Sequence, residues 1–476
     1  MIEQQMIEKG VKIGLETHIT LPTKSKLFCC CSNTSKKDET PNTRICPICL
    51  GHPGTKPYLN KSAVKIAIKL AIALKCNIAK KTYFSRKTYF YPDLAKDFQI
   101  TQYEIPIAQK GSVILKTNNK EKKITIRRIH IEEDPAKIIY QKECSFLDYN
   151  RSGSPLIEIV TEPDFEDSTQ ARYYLQKLIT MLEYLGIYNL DDETTIKTDA
   201  NISLAGKNRV EVKNIGGVRE VEKALKYEFI RQKNILAKNI IPQMETRGWL
   251  DKLGISKPLR LKETEEDYGY IFEPDLPHIT IEKDEIENKK KEIPELPEMK
   301  SKRFLQQYKL NEKTIERLVR YKDLADLFEY LCKKNIDKKI ASSWVTGPIT
   351  KTLNWNNVRF SSIDLSKQEI YLCLNDFSNN KYSDFIAEKI IQKMVEEAKN
   401  EKNVSYKCII EKYSFCNCNM NLDEIISKLI SENKTAFEEF KNGKEKSLNF
   451  LVGQVMKETK GRANPKEIIE NIKKFK

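Results

Sequence analysis

The segment VKIGLETHITL, residues 11–21, alternates apolar and polar side chains and is the clearest structural signal in the sequence. Successive side chains of a β-strand point to opposite faces of the sheet. The apolar set therefore shares one face, and Glu16 and His18 lie side by side on the other. For this strand alone, an exposed polar face of an antiparallel sheet is the simpler interpretation.

A second segment repeats this arrangement with more acidic groups. In KITIRRIHIEED, residues 123–134, two isoleucines share one face while His130, Glu132 and Asp134 share the other. Three consecutive acidic residues at its end crowd like charges together, which is costly unless a cation or a turn relieves the repulsion. The segment therefore predicts either a cation site or a sharp turn at this point.

A third segment adds further oxygen donors. In TTIKTDANISL, residues 194–204, Asp199 and Asn201 lie together opposite an apolar face. Three predicted strands thus present carboxylate and amide groups on one side of a sheet. Such donors suit a hard cation such as Mg2+.

The cysteines predict a second kind of metal site. Cys29 and Cys31 form one close pair, and Cys46 and Cys49 form a second pair after 14 intervening residues. Two such pairs are what a tetrahedral four-thiolate zinc site requires. Free thiols are the alternative, and the later cysteine pair at 416–418 lacks a second pair to complete a ligand set.

The composition indicates a folded, basic protein. The chain has 476 residues with 82 Lys and Arg against 67 Asp and Glu, which leaves a formal net charge of +15. This excess indicates an anionic partner such as nucleic acid, and a generally Lys-rich proteome is the alternative. No apolar run approaches the roughly 20 residues of a membrane span, and the first ten residues lack an apolar signal core. We therefore expect a cytoplasmic protein without membrane contact.

The chain divides into a mixed N-terminal part and a helical C-terminal part. The segment IEKDEIENKKKEIPELPEMK, residues 281–300, has no sustained apolar face and is predicted to be a linker. Beyond it, apolar residues recur every three or four positions, which is typical of helices. We expect three domains, at 1–285, 286–400 and 401–476.

The C-terminal segment concentrates positive charge at a predicted helix junction. Apolar residues between 448 and 456 recur at spacings of three and four, which predicts an amphipathic helix. Asn464 and Pro465 are residue types that begin a helix. The cations around this junction are Lys457, Lys460, Arg462 and Lys466. They suit a phosphate backbone, and a solvated charged face is the alternative.

Long motifs carry a family resemblance. They are GLETH (14–18), TKSKLFCCC (23–31), TRICPICLGHPG (43–54), RKTYFYPDLAKDFQITQY (86–103), RIHIEED (128–134), DYNRSGSPLIEIVTEPD (148–164) and NFLVGQVMKETKGRANP (449–465). Together they resemble the GatB family, the B subunits of the aspartyl/glutamyl-tRNA amidotransferases, over nearly the whole chain. The sequence departs from the family pattern at Cys30, His52, Thr88, Asp97 and Gly216–Gly217. Of these, Cys30 and His52 are candidates for additional zinc ligands.

The resemblance implies a fold and a reaction. The fold is expected to be α+β, with a glutamine-synthetase-like antiparallel-sheet cradle that carries a zinc knuckle at about 29–49. An all-α domain and a small helical tail domain that binds tRNA follow. In this family, the GatB chain uses ATP and Mg2+ to phosphorylate the side-chain carboxylate of Asp-tRNA(Asn) or Glu-tRNA(Gln), and ammonia then displaces phosphate. The implied partners are these misacylated tRNAs, an amidase (glutaminase) subunit that releases ammonia from glutamine, and a small third subunit.

The resemblance also implies roles for individual residues. The expected Mg2+ ligands are Glu16, His18, Glu132 and Glu133. Strand alternation favours Glu132 of the last two, whereas a bulge at the strand end would favour Glu133. Arg86 and Lys87, before an aromatic run, and Arg151, beside Gly153, are phosphate candidates from the residues themselves. The full set of expected ATP contacts is Arg86, Lys87, Tyr89, Arg151, Asp199 and Asn201, and the expected catalytic residues are Lys87, Glu132 and Arg151. A solvated role for these cations, beside aromatic residues of the core, is the alternative.

Two other functions remain open from the sequence. The related GatE proteins serve only Glu-tRNA(Gln), but they carry a large inserted domain for which this chain has no room. A zinc-containing RNA-binding protein without catalysis would explain the charge and the cysteines. It would not explain three strands that present acid and amide groups.

Overall fold

A computed structural model describes most of the chain. The described residues are 10–34, 38–117, 120–188, 196–261, 269–400, 403–413, 415, 422–459 and 465–475. The chain divides into two compact units, Met1–Leu296 and Pro297–Lys476. The three-domain division expected from the sequence is finer than this one, and it stays a prediction.

A large sheet forms the centre of the first unit. The strands in chain order are β1 Val11–Thr20, β2 Asn77–Ile78, β3 Lys81–Thr82, β4 Ser85–Thr88, β5 Phe98–Thr101, β6 Ala108–Thr117, β7 Lys120–Glu133, β8 Lys137–Tyr140, β9 Ser145–Asp148, β10 Pro155–Thr161, β11 Lys197–Leu204, β12 Val210–Gly216, β13 Glu245–Leu250, β14 Ile255–Leu261, β15 Gly269–Phe272 and β16 Ile279–Thr280. In the described part of the chain, twelve of these strands form the large sheet, while β3 pairs with β16 and β8 with β9.

The strand order brings distant parts of the chain side by side. It runs β14-β13-β12-β11-β1-β10-β7-β5-β4-β15, with β6 beside β7 and β2 beside β6. The ladders are antiparallel, apart from β12 with β13, which run parallel. The α+β fold with an antiparallel sheet that the sequence predicted is confirmed.

Helices cover one face of this sheet. The helices of the first unit are α1 Lys61–Ala73, α2 Ser168–Leu185, α3 Val218–Ala237 and α4 Lys283–Lys291. Asn60 and Asp167 begin α1 and α2, because each side chain accepts a hydrogen bond from a backbone amide of the first turn. The first three helices pack on the alternate apolar residues of the central strands, among them Ile13, Leu15 and Ile157.

The opposite face of the central strands carries the polar residues, as the alternation predicted. We call it the polar face, and it is defined by Glu16, His18, His130, Glu132 and Glu158. One face of the sheet thus stabilises the fold through its apolar core, and the other presents ionisable groups.

The charged segment that was predicted to be a linker contains the boundary between the two compact units, and much of it is helical. Helix α4 packs against α1, and Ile286 and Ile293 join the core of the first unit. Its first turn is acidic and its last turn basic. This distribution complements the helix dipole and stabilises a helix that has little apolar surface.

The secondary-structure elements described in the second unit are all helices. Its helices are α5 Pro297–Tyr308, α6 Glu312–Val319, α7 Lys322–Lys333, α8 Lys338–Trp344, α9 Thr350–Trp355, α10 Lys367–Ser378, α11 Asp384–Asn400, α12 Tyr406–Lys412, α13 Leu422–Glu432, α14 Lys434–Lys441, α15 Glu445–Glu458 and α16 Pro465–Lys474. A π-helical turn joins α8 to α9, and the last four helices share a small core of their own. The amphipathic helix predicted at 448–456 lies within α15, and its Leu451 and Val455 are buried. Among the described helices, none has the length and apolar character to cross a membrane.

Candidate active site

Three side chains of the polar face converge on one point. His18 lies on β1, Glu158 on β10 and Glu132 on β7, three strands that are adjacent in the sheet. His18 faces Glu158 directly across the ladder. One ligand atom from each of the three residues lies within 4.8 Å of the others. Two carboxylates and an imidazole at this separation form a donor set for a divalent cation.

A second imidazole, that of His130, contacts both carboxylates. The His130 Nε2 lies 3.1 Å from Glu158 Oε2 and 3.4 Å from Glu132 Oε2, while His18 Nε2 lies 3.5 Å from Glu158 Oε2. Burial alone would raise the pKa of Glu158, but the two histidines hold it well below its ordinary value. The histidines therefore favour the carboxylate form of Glu158, and they lower the pKa of Glu132 as well against the effect of its burial.

The carboxylates in turn raise the basicity of the imidazoles. Burial disfavours the imidazolium form, but the hydrogen bond to Glu158 and the nearby carboxylate charges raise the pKa of His18 to about 10. The same neighbours raise the pKa of His130 to about 9. A divalent cation bound here would replace the His18 proton as the positive charge beside the two carboxylates.

The structure separates the two candidate glutamates of β7. Glu133 accepts from Lys96 Nζ at 2.5 and 2.7 Å and from the Ile100 amide at 2.9 Å. Glu132 instead accepts from the Thr101 hydroxyl at 3.2 Å and faces the histidines. The register between β7 and β10 is regular at this end, so alternation keeps Glu132 on the polar face.

Glu16 belongs to a neighbouring acidic group. It faces Asp199 across the ladder and accepts a hydrogen bond of 2.9 Å from Asn201 Nδ2. Burial, followed by the charges of Glu158, Glu211 and Asp199, raises the pKa of Glu16. Lys213 Nζ lies 3.7 Å from Asp199 and 3.8 Å from Glu211, and so partly neutralises the group. Glu16 is thus beside the His18–Glu132–Glu158 triad without sharing its convergence point.

The two arginines expected at the phosphates are engaged in the fold. Arg86 donates to Glu273 through Nε at 2.7 Å and Nη2 at 2.9 Å. Arg151 donates to the carbonyls of Pro135 at 3.0 Å and Ala136 at 2.8 Å. Each guanidinium therefore donates two hydrogen bonds to the chain itself, and the expected phosphate contacts of these two arginines stay a prediction. Lys87, on β4, lies half-buried with its ammonium 5.8 Å from the Tyr89 ring centroid.

The four paired cysteines converge as their spacing predicted. The sulfurs of Cys29, Cys31, Cys46 and Cys49 all lie within 4.8 Å of one another. A tetrahedral ion fits this separation, because Zn–S bonds are about 2.3 Å long. The hydrogen bond from Cys29 is the main cause that lowers the pKa of Cys49 to about 4, with a contribution from the charge of Lys26.

The two additional zinc candidates lie outside this cluster. Cys30 is exposed and engages Tyr58, whose pKa rises to about 12 chiefly because of that hydrogen bond. His52 is exposed as well. Neither residue joins the four sulfurs in the part of the chain that the structure describes.

The tail cations are only partly covered by the structure. Lys457 is exposed near the end of α15. Lys460 and Arg462 lie outside the described residues, as does the cysteine pair at 416–418. Lys466 lies in α16, but its side chain is not described.

Several roles at the site were missed from the sequence. Glu158 had a usable signal, since it alternates with the apolar Ile157 and Ile159. His130 was expected on the polar face but was given no role there. Arg128 follows the same alternation, and its buried Nε has no hydrogen-bond partner among the described residues. Lysine is usually a surface residue, so no sequence signal marked Lys26 as a fully buried one.

Comparisons with known proteins agree with the motifs. A family model described as the GatB/GatE catalytic domain matches residues 11–287, and one described as the GatB domain matches 326–475. The chain is 42% identical to the B subunit of aspartyl/glutamyl-tRNA(Asn/Gln) amidotransferase from Methanosarcina barkeri, over 97% of both proteins. It is 43% identical to the protein of the same name from Sulfurisphaera tokodaii and 40% to that from Caldicellulosiruptor bescii, each over 98% of this chain and 99% of the relative.

The chain therefore belongs to the GatB family, the B subunits of the aspartyl/glutamyl-tRNA amidotransferases, which is an enzyme family. This membership confirms the resemblance drawn from the motifs. It also favours a component of an enzyme over the non-catalytic RNA-binding alternative.

Proposed function

We propose that this chain binds a misacylated tRNA and uses ATP and Mg2+ to phosphorylate the side-chain carboxylate of Asp-tRNA(Asn), Glu-tRNA(Gln) or both. The observation that carries the proposal is the convergence of His18, Glu132 and Glu158 on the polar face. The two carboxylates are the main metal ligands, because imidazole is a weaker match for so hard an ion.

The proposed reaction needs positioning and charge neutralisation more than covalent help from the protein. A carboxylate oxygen of the aminoacyl group attacks the γ-phosphorus of ATP, and ADP leaves. Ammonia then attacks the activated acyl carbon, and inorganic phosphate leaves. Glu132 and Glu158, with His18 beside them, would hold Mg2+ at this point, and the bound ion would supply charge neutralisation for the transferred phosphoryl group.

Two cations are candidates for the phosphate contacts in this proposal. Arg128 alternates onto the polar face of β7, and its buried Nε lacks a hydrogen-bond partner among the described residues. A guanidinium with such an unused N–H group is suited to donate a hydrogen bond to a phosphate oxygen. Lys87 keeps the phosphate-binding role expected from the sequence, since its side chain is half-buried on β4 of the same sheet.

The remaining parts of the chain have supporting roles in this proposal. The four cysteines hold a structural zinc ion. The tail cations Lys457, Lys460, Arg462 and Lys466 hold the tRNA backbone, consistent with the net charge of +15. An amidase subunit delivers the ammonia, and a small third subunit completes the complex.

The test is the rate of tRNA-dependent ADP formation by the assembled complex. We expect Glu158→Gln to abolish this rate while glutaminase activity and tRNA binding persist, because it removes one carboxylate of the triad. Glu121→Gln is the matched control, since Glu121 lies exposed on β7 and pairs only with the exposed Lys116 in the described chain. A wild-type rate in Glu158→Gln would overturn the proposed site.

A further inference from the structure

Lys26 is a fully buried lysine in the turn that leads into the cysteine cluster. Its ammonium donates to the Arg44 carbonyl at 2.8 Å, the Tyr149 carbonyl at 3.3 Å and Cys49 Sγ at 3.7 Å. Within the described residues, no carboxylate forms an ion pair with it. A buried charge without a counter-ion is strongly unfavourable, so this ammonium requires a nearby anion.

The cysteine cluster supplies that anion when it holds a metal. A divalent ion bound by four thiolates leaves the centre with a net negative charge. Cys49 Sγ is the one member of the cluster within hydrogen-bonding reach of Lys26 in the described structure. The ammonium and the metal–thiolate centre therefore stabilise each other where Lys26 and Cys49 are both buried.

The same lysine joins the cluster to the segment that precedes β10. The Leu27 amide donates to the Gly153 carbonyl at 2.8 Å, and the Ser152 hydroxyl donates to the Cys49 carbonyl at 3.3 Å. Gly153 has a φ of +82°, and an added Cβ there would lie 3.6 Å from the Lys26 side chain. Strand β10, with Glu158, starts two residues later.

We propose that Lys26 is the counter-ion of a four-thiolate zinc centre and a positioning residue that couples this centre to the 149–154 segment and hence to Glu158. The proposal rests on the zinc site put forward above. In this proposal the zinc knuckle does more than stabilise its own loop. It also helps to position Glu158, a carboxylate of the His18–Glu132–Glu158 triad.

The first test measures zinc retention in the full-length protein and needs no activity. Lys26→Met keeps the chain length and removes the charge, and Lys24→Met is the control because Lys24 is exposed two residues away. We expect Lys26→Met to transfer zinc to a chromogenic chelator on the order of tenfold faster than the wild type, as for other outer-sphere partners of metal ligands. Lys24→Met should match the wild type. A wild-type rate in Lys26→Met would overturn the counter-ion role.

Lys26→Arg keeps the test decisive if Lys26→Met fails to fold. It retains the positive charge, so it should keep zinc nearly as well as the wild type. Zinc loss from Lys26→Arg as fast as from a Cys49→Ser variant would contradict a role based on charge.

The second test addresses the coupling of Lys26 to the His18–Glu132–Glu158 triad. In zinc-loaded complexes, we expect Lys26→Met to need several-fold more Mg2+ for half-maximal tRNA-dependent ADP formation, with unchanged glutaminase activity. An unchanged Mg2+ dependence would overturn the positioning role. If the wild-type complex formed no ADP at all, the proposed function would fail, whereas the zinc measurement would still decide the role of Lys26.

Discussion

Adjacent side chains of β7 end in unrelated environments. Glu132 faces two imidazoles on the polar face, whereas Glu133 is bound to the ammonium of Lys96 and to a backbone amide. The same substitution at these two positions therefore changes two different properties of the protein.

We expect Glu133→Gln to lower the free energy of unfolding by on the order of 3 kcal/mol, because it leaves the largely buried Lys96 without its charged partner. Glu132→Gln should abolish tRNA-dependent ADP formation with a smaller loss of stability, since His18 and His130 both keep Glu158 as a charged partner. Denaturant unfolding and ADP formation measured on both variants check this. Loss of activity in a stable Glu133→Gln protein would instead place the metal ligand at position 133.

Individual arginines and lysines likewise differ in what they are available to do. Arg86 and Arg151 have strongly cationic, planar side chains, yet both stabilise loops and strands of the fold. Lys26 is buried against a thiol. Residue type therefore predicted cationic character correctly, but the contacts of each side chain decide whether it meets a ligand.

At the scale of the element, strand β1 shows how alternation divides structural from chemical roles. Its even-numbered residues Glu16 and His18 lie on the polar face, and its odd-numbered residues lie in the core. Thr17 is the one polar residue among these odd-numbered positions. It is fully buried on the apolar face, and its hydroxyl has no hydrogen-bond partner among the described residues.

We expect Thr17→Val to raise the free energy of unfolding by about 1 kcal/mol, because it removes an unsatisfied buried hydroxyl at nearly constant volume. Thr161→Val in the neighbouring β10 is the matched comparison. The Thr161 hydroxyl accepts from the Leu15 amide at 2.9 Å, so its loss should destabilise by a similar amount. Urea unfolding of both variants measures these changes, and destabilisation by Thr17→Val would show that its hydroxyl is hydrogen-bonded in solution.

At the scale of the molecule, the two candidate metal sites lie in one compact unit and the C-terminal cations in the other. The first unit holds the polar face and the cysteine cluster, while the basic tail belongs to the second. Within the second unit, α13 to α16 form their own apolar core, which includes Ile426 and Leu451. By contrast, α12 is tied to the preceding helices, since Tyr406 bonds to Glu369 and Asp376.

These contacts define where to remove the tail. We expect deletion from residue 422 onward to raise the Michaelis constant for aminoacyl-tRNA strongly and to reduce the salt dependence of binding, because phosphate contacts are lost. A cut at 403 would also remove buried residues of α12 and confuse stability with binding. Filter binding across a salt series and steady-state kinetics check the prediction, with glutaminase activity as the control. Equal affinity and an equal salt slope in the truncated complex would mean that the tail does not hold tRNA.

The sequence by itself determined which residues share a face and which metal chemistry is available. Alternation identified the polar faces of β1, β7 and β11, and cysteine spacing identified the four-sulfur cluster. These predictions succeeded because strand periodicity and short ligand spacings are local properties of the covalent chain. Long motifs identified the family for the same reason, since they are continuous in sequence.

Only the tertiary structure decided which of these residues meet. Arg86 and its partner Glu273 are 187 positions apart, and Glu16 and Asn201 are 185 apart. Strand order and register set such pairings, and no local pattern encodes them. The tertiary contacts therefore engage Arg86 within the fold and bring Glu158 to the triad. They also bury Lys26, because packing between distant segments determines whether a lysine remains in water.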